Sequence, residues 1–156
     1  MTIRLAALAL AMTASLCLSA CTSAPAVKEL THAEKVEAAT IKPQVGGYCP
    51  VAYVDANAPV HGVPEHPVAT DDGVFWFVNA DAADAYVRDR DRYQIPFLNY
   101  DPNALAEGQV VYADPTIFTI HDGKIYLFAD DASRQAFLAE ADDVVVGAQN
   151  FFDTFE

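Results

Sequence analysis

The chain has 156 residues, of which 22 are acidic and nine are basic, so its formal net charge is −13. So acidic a surface repels nucleic acid and anionic lipid headgroups, which argues against nucleic acid as a partner and favours cations or basic proteins. The same charge also keeps a protein soluble, and solubility alone is a sufficient reason for it.

The first 20 residues have the layout of a secretory signal, with Arg4 ahead of an apolar run. The run is too short and too poorly flanked to be a membrane span. It ends in Leu18-Ser19-Ala20-Cys21, which resembles the lipobox of bacterial lipoproteins. The resemblance implies cleavage before Cys21 and acylation of that residue by fatty acids such as palmitate. The alternative is an ordinary signal cut nearby, which would leave Cys21 as a free thiol.

Acylation at Cys21 would tether the mature protein to a lipid bilayer without spanning it. Thr22 follows the cysteine, where an Asp would mark retention at the inner membrane in the enterobacterial sorting pattern. We therefore expect a protein of the bacterial cell envelope, held at the outer membrane and facing the periplasm. Residues 21–45 are rich in Ala, Pro, Lys and Glu and are predicted to form a tether.

Residues 46–156 are long enough for one small domain with one core. Within them, "DDGVFWFVNADAADAYV" from Asp71 and "HDGKIYLFADDASRQAFL" from His121 share one pattern. Each has an Asp-Gly pair, an aromatic-rich apolar run, a capping residue and a helical pattern. Asp-Gly between two β-prone runs favours a hairpin, because both turn positions need a positive φ. "RDRDRY" at 88–93 alternates in charge, which is typical of the exposed end of a helix.

These patterns predict the bounds of two hairpins and the caps of two helices. The strands are expected at about 66–70 with 74–78, and at about 116–120 with 124–128. Asn79 or Asp81 is expected to cap the first helix, and Asp130 or Asp131 the second. Tyr48-Cys49-Pro50 and Tyr100-Asp101-Pro102 extend the period upstream. We therefore predict an α+β domain built from two β-hairpin–helix repeats, about 46–98 and 99–156, around one antiparallel sheet.

The chain from residue 46 onwards resembles the YHS domain family in its secreted form. The resemblance is carried by five stretches: "GGYCPVAYV", "HGVPEH", "GVFWFVNADAADAYV", "RDRYQIPF" and "DPTIFTIHDGKIYLF". The family usually has Asp at the position of Cys49 and Cys near the position of Asp101, so the two residue types look exchanged. If the repeats pack around a pseudo-twofold axis, Cys49 and Asp101 should share one pocket, lined by Tyr48, Tyr100 and one histidine. YHS domains accompany heavy-metal-handling proteins, which implies a metal-linked role.

Three roles for Cys49 follow from its chemistry. As a metal ligand, its thiolate together with His61, His66 and Asp101 would suit copper or zinc, although the spacing matches no established ligand signature. As a free thiol in an oxidising compartment, it would suit a redox enzyme, although the chain has no Cys-x-x-Cys. As a small buried residue, it would be structural. We expect the domain to bind a metal ion or small ligand; the alternatives are a thiol-dependent redox enzyme or a non-catalytic interaction module.

Overall fold

A computed structural model of the chain describes Thr31 and residues 41–154. The predicted signal, the lipidation residue Cys21 and most of the predicted tether lie outside the described residues, as do residues 155 and 156. The described part contains two β-hairpins, four α-helices and two short 3-10 helices. The α+β class predicted from the sequence is therefore confirmed.

The same series of a short helix, a hairpin and a longer helix occurs twice along the chain. In chain order, the elements are a 3-10 helix (Gln44–Gly47), α1 (Pro50–Asp55), β1 (Val63–Thr70), β2 (Gly73–Phe77), α2 (Ala80–Arg88), a 3-10 helix (Arg90–Tyr93), α3 (Pro102–Ala106), β3 (Asp114–His121), β4 (Lys124–Phe128) and α4 (Asp131–Phe152). Both hairpins and both following helices lie where the sequence predicted them, within a few residues. None of the helices in the described part is both long enough and apolar enough to cross a bilayer.

The two hairpins form two separate antiparallel sheets, β1–β2 and β3–β4, and not the single sheet that we predicted. Each hairpin has an irregular register at a corresponding place, between Val63 and Pro67 in β1 and between Asp114 and Phe118 in β3. Such irregularities increase the local twist of a hairpin, and prolines within β1 and β3 remove N–H donors from those strands. Both features oppose a continuous four-stranded sheet.

The two hairpin turns differ, although both contain Asp-Gly. Asp122 and Gly123 form the second turn with φ values of 49° and 72°, as predicted. In the first hairpin, Thr70 pairs with Gly73, so that the turn is centred on the two residues between them. Gly73 belongs to β2 and has a φ of 121°, a conformation that favours glycine. The sequence pattern had placed this turn one residue too late.

The longer helices begin at caps that the sequence pattern named. Asn79 accepts a hydrogen bond from the backbone N–H of Ala82 at the start of α2, and Asp130 accepts one from Ser133 at the start of α4. Each satisfies a backbone donor that the helix leaves unpaired. Helix α4 is interrupted at Glu140, where φ is −141° and ψ is 37°.

Strand β4 joins the two halves because successive side chains of a strand point to opposite faces. Ile125 and Leu127 enter a first core cluster, whose other buried residues, such as Tyr53 and Phe77, lie within residues 45–95. Tyr126 and Phe128 enter a second cluster together with side chains of the second half: Leu105, Phe137, Ala148 and Phe152. Strand β4 therefore contributes buried side chains to both core clusters.

Candidate functional site

Cys49 directly precedes α1, and its side chain is 0% exposed. Its backbone is extended, as at a helix cap, but the thiol makes no capping hydrogen bond. The sulfur instead belongs to the first core cluster, among aliphatic and aromatic side chains. A thiol in this position is not available to a substrate from solvent, which favours the structural role over the nucleophile.

Asp101 directly precedes α3 and is 2% exposed. One carboxylate oxygen accepts hydrogen bonds from the backbone N–H groups of Asn103 at 2.9 Å and Ala104 at 3.3 Å. The other accepts from the Ala129 N–H at 2.8 Å and from the Ser133 hydroxyl at 2.6 Å. Four donors therefore satisfy a charge that would be costly to bury alone, and Asp101 links α3 to the start of α4.

The difference between Cys49 and Asp101 belongs to a larger difference between the two halves. In the second half, three polar side chains connect α3 to α4: Asp101, Asn103 and Ser133. The corresponding positions of the first half, counted from the caps of α1 and α2, are apolar or weakly polar: Cys49, Val51 and Ala82. Ala82 has no hydroxyl that could bind a carboxylate at position 49, as Ser133 binds Asp101. A small, weakly polar Cys49 therefore suits these surroundings.

The histidines of the predicted metal site are more exposed than Cys49 and Asp101. His61 is exposed and stacks on the ring of Tyr48, with 3.9 Å between the ring centroids. His66 is half-buried on β1. Within residues 41–154, no three Cys, His, Asp or Glu side chains are placed to hold one metal ion. The structure therefore does not assemble Cys49, His61, His66 and Asp101 into the predicted site, because the thiol is in the core and the carboxylate is fully bonded.

The structure instead shows a cleft where the two halves meet. It consists of two adjoining cavities of about 460 and 540 Å³, which share Asp72, Leu98 and Phe152 as lining residues. Small-ligand sites typically measure about 300–1,000 Å³. We call these two cavities together the inter-half cleft. Tyr100, predicted to line a ligand pocket, lines the second cavity, whereas Tyr48 lines neither.

Segments that are distant in sequence supply the walls of the inter-half cleft. Asp72 lies in the first hairpin turn, and Arg90 begins the second 3-10 helix. From the second half, Lys124 begins β4, and Gln149 and Phe152 lie near the end of α4. Phe152 is buried against Phe97, with 5.7 Å between the ring centroids. The cleft therefore depends on how the halves pack.

A series of amide hydrogen bonds crosses between the halves beside the cleft. Gln44 donates to the backbone carbonyl of Asp72 at 2.7 Å, and its own carbonyl accepts from the Asn99 amide at 2.5 Å. The Asn99 side-chain oxygen in turn accepts from the backbone N–H of Val45 at 2.7 Å. These bonds fix the first hairpin turn, the first 3-10 helix and the segment before α3 relative to one another.

Two residues of this region have a backbone conformation that is unfavourable for their side chains. Val45 has a φ of 54° and Leu98 a φ of 49°. A non-glycine residue held in the left-handed region costs about 1–3 kcal/mol, and such residues cluster at binding and catalytic sites. Leu98 lines both cavities, and Val45 is held by the amide series described above. The strain favours a functional interpretation of the cleft.

The charged groups of the cleft are unequally engaged. The Arg90 guanidinium lies 3.5 Å from the Asp72 carboxylate and 5.9 Å from the centre of the Tyr86 ring. Asp91 accepts a hydrogen bond from Gln94 at 3.3 Å. Burial raises the pKa of Tyr86, and the nearby Arg90 offsets only part of that rise, so that Tyr86 presents a neutral hydroxyl at neutral pH. The cleft thus combines cations, carboxylates and an aromatic wall.

Comparison of the chain with protein-family models, with curated proteins and with solved structures found no significant match. Apart from Tyr100, the residues of the cleft were not predicted from the sequence. Arg90 was interpreted as part of an exposed helix end, and Lys124 only as the residue after a turn. Nothing in the local sequence indicates that these two side chains line one cavity, since they belong to different halves.

Proposed function

We propose that the protein is a lipid-anchored binding module of the YHS type that takes a small ligand in the inter-half cleft. The observation that carries the proposal is the cleft itself. It has the volume of a ligand site, a lining that mixes aromatic and charged side chains, and a strained residue, Leu98, on its surface. Sites of this kind are the first candidates for ligand binding in a domain.

The YHS assignment is supported by the sequence stretches quoted above and by the repeated series of elements. Each half has a short helix that begins with Pro, an isolated β-bridge, a hairpin and a longer helix. The bridges join Tyr48 to His61 in the first half and Tyr100 to Tyr112 in the second. This correspondence is compatible with the two equivalent halves that the resemblance implies.

The anchor is proposed from the sequence, since Cys21 lies outside the described residues. Acylation of Cys21 would hold the domain at the bilayer through two or more acyl chains, which together give stable attachment at about 0.8 kcal/mol per buried CH₂. We propose that the domain faces the periplasm from the outer membrane. A ligand would therefore reach the cleft from the periplasm.

The test is ligand binding by the full-length protein, purified in detergent, with a variant that fills the cleft. Gln149 is exposed and lines the first cavity, so Gln149→Trp places a large ring there. Asn150 is the next residue of α4, is also exposed and lines neither cavity, so Asn150→Trp is the matched control. The protein is titrated calorimetrically with fragment-sized aromatic compounds of negative, positive and zero charge.

We expect at least one compound to bind the wild type and Asn150→Trp with equal affinity, and to lose binding to Gln149→Trp. Equal unfolding midpoints for the two tryptophan variants would show that both are folded. The proposal is refuted if no compound binds, or if filling the cleft leaves the binding of every compound unchanged.

A further inference from the structure

We propose that the inter-half cleft selects a small carboxylate with a flat apolar body, whose carboxylate is held by Arg90 and Lys124. This inference rests on the proposed function, because it names the class of ligand that the cleft takes. It depends on where the basic side chains of a very acidic protein lie, on how fully they are engaged, and on the rings beside them.

Two basic side chains converge on the cleft although acidic residues outnumber basic ones, 22 to nine. Two other basic side chains are engaged elsewhere: Arg92 binds Asp55 at 2.7 Å, and Arg134 binds Asp131 at 2.8 Å. Carboxylates are abundant over the whole surface and would attract a cation to many places. The carboxylates of Asp71, Asp72 and Asp91 also line the cleft, so it has no excess of positive charge. Its distinguishing feature is that two of the scarce cations line one cavity, where they are local partners for an anion.

Arg90 has unused capacity to bind an anion. Its side chain is 25% exposed, and its nearest carboxylate, that of Asp72, lies 3.5 Å away. A strong charge-assisted bond between a guanidinium and a carboxylate measures about 2.7–2.9 Å, and a guanidinium carries five N–H donors. Asp72 is therefore a weak partner, which a ligand carboxylate with a two-point contact would displace from the guanidinium.

Lys124 supplies the second positive charge from the other half. It lines the same cavity as Arg90 and makes no ion pair with a described residue. Since Asp91 is already bonded to Gln94, the other carboxylate of this cavity is partly engaged. A ligand anion would thus meet two cations that can still bind it, whereas a ligand cation would meet the carboxylates of Asp72 and Asp91, which already have protein partners.

The apolar part of the ligand is inferred from the rings. Phe75 and Tyr86 lie with their centroids 5.8 Å apart, and both line the cavity that contains Arg90. Ile95 and Phe152 add apolar surface to the same cavity. Aromatic walls favour a flat body, because offset or edge-to-face contacts between rings are attractive. The ligand class is therefore an aromatic or similarly flat carboxylate.

The experiment compares compounds of one shape and different charge on the full-length protein in detergent at pH 7. The probes are benzoate and 2-naphthoate, with benzamide and benzylamine as the neutral and cationic counterparts. The variants are Arg90→Gln and Lys124→Gln. Arg92→Gln is the matched control, because it makes the same charge change in the same 3-10 helix but outside the cleft. Calorimetric titration gives each dissociation constant, and thermal unfolding shows that each variant is folded.

We expect a carboxylate probe to bind at least about tenfold more tightly than benzamide and benzylamine. Arg90→Gln should weaken carboxylate binding about tenfold or more, as expected from the loss of a hydrogen bond to a charged group. Lys124→Gln should weaken it less, and Arg92→Gln should change it less than about twofold, because exposed charges outside the site are screened by salt. The binding of benzamide should be the same in all variants.

The inference is overturned if benzamide or benzylamine binds as tightly as both carboxylates, or if Arg92→Gln weakens binding as much as Arg90→Gln. In those cases the cleft still binds a ligand, and only the ligand class is wrong. The absence of binding by every probe and by every compound of the broader panel would instead refute the proposed function together with the inference.

Discussion

Replacement of Asp101 by Ala tests whether its carboxylate is a structural element of the second half. The change removes the acceptor for four donors: the backbone N–H groups of Asn103, Ala104 and Ala129, and the hydroxyl of Ser133. Since Asp101 is 2% exposed, water does not readily replace the carboxylate. We expect a large loss in the free energy of unfolding.

The magnitude follows from the two kinds of bond that are lost. Removal of a helix cap costs about 1 kcal/mol, which accounts for the two donors of α3. Each of the two remaining donors, if left buried and unpaired, costs about 1–3 kcal/mol. The total is about 3–7 kcal/mol, compared with roughly 5–15 kcal/mol for the stability of a whole domain. Asp101→Asn keeps one oxygen for the cap and should cost about half as much.

The assay is urea unfolding of the full-length protein, followed by circular dichroism and by the fluorescence of Trp76, the only tryptophan. A change in midpoint at constant slope reports a change in stability. Asp101→Cys combined with Ser133→Ala reproduces the pair that the first half has at Cys49 and Ala82. Because the two side chains are bonded, the double variant should be more stable than additivity predicts by about 1 kcal/mol.

The reasoning is refuted if Asp101→Ala costs less than about 1 kcal/mol, or if the two single changes add within about 0.3–0.5 kcal/mol. The reciprocal change serves as the control. Cys49→Asp places a carboxylate where Ala82 offers no hydroxyl, so it should be strongly destabilising, and Ala82→Ser should recover part of the loss. A tolerated Cys49→Asp would mean that the surroundings of residue 49 are not apolar.

Three further predictions concern the hydroxyls of the core, the first hairpin and the anchor. Burial raises the pKa of Tyr53, Tyr86 and Tyr126, whereas in the unfolded chain it is about 10. Their contribution to stability is therefore complete below pH 10 and is lost as the pH rises towards the pKa values of the folded state. Urea titrations at alkaline pH should show a falling free energy of unfolding, and Tyr53→Phe should reduce that fall. Gly73→Ala should cost about 1–3 kcal/mol in the same assay, because residue 73 has a φ of 121° and an added Cβ would lie 2.7 Å from the Gln44 amide. Gly123→Ala should cost less, because a Cβ added there would have no atom within 4 Å. Cys21→Ser should leave the protein unprocessed or release it from the membrane, and an unmodified N-terminus in intact-mass analysis of the wild type would contradict the anchor.

Local patterns predicted the hairpins and the caps because their causes are local. Asn79 and Asp130 cap their helices through side chains that reach only three residues along the chain. Asp122 and Gly123 form their turn because of their own backbone preferences. The first turn was misplaced by one residue because Asp71, Asp72 and Gly73 allow two similar solutions. Only the pairing of Thr70 with Gly73 decides between them.

The features that escaped prediction depend on contacts between distant residues. The single sheet was expected because two hairpins of similar pattern suggest one surface, but irregular register and strand prolines keep them separate. The pocket that Cys49 and Asp101 are expected to share rests on a pseudo-twofold axis and stays a prediction. A family pattern indicates which positions correspond, but it does not indicate where their side chains point or how far apart they lie.

The two ends of α3 show why the second half needs a polar set at these positions and the first half does not. Asp101 directly precedes α3 and bonds to Ser133 at the start of α4. Gly147 lets the later part of α4 approach Ala106 at the end of α3, because a Cβ added at residue 147 would lie only 3.1 Å from the Ala106 Cβ. Between these attachments α4 is interrupted at Glu140, so that each part of α4 needs its own contact with α3. The later part carries Gln149 and Phe152, which form a wall of the cleft. In the first half, α2 ends at Arg88 and has no second part that needs its own attachment, so a small thiol at position 49 satisfies the packing.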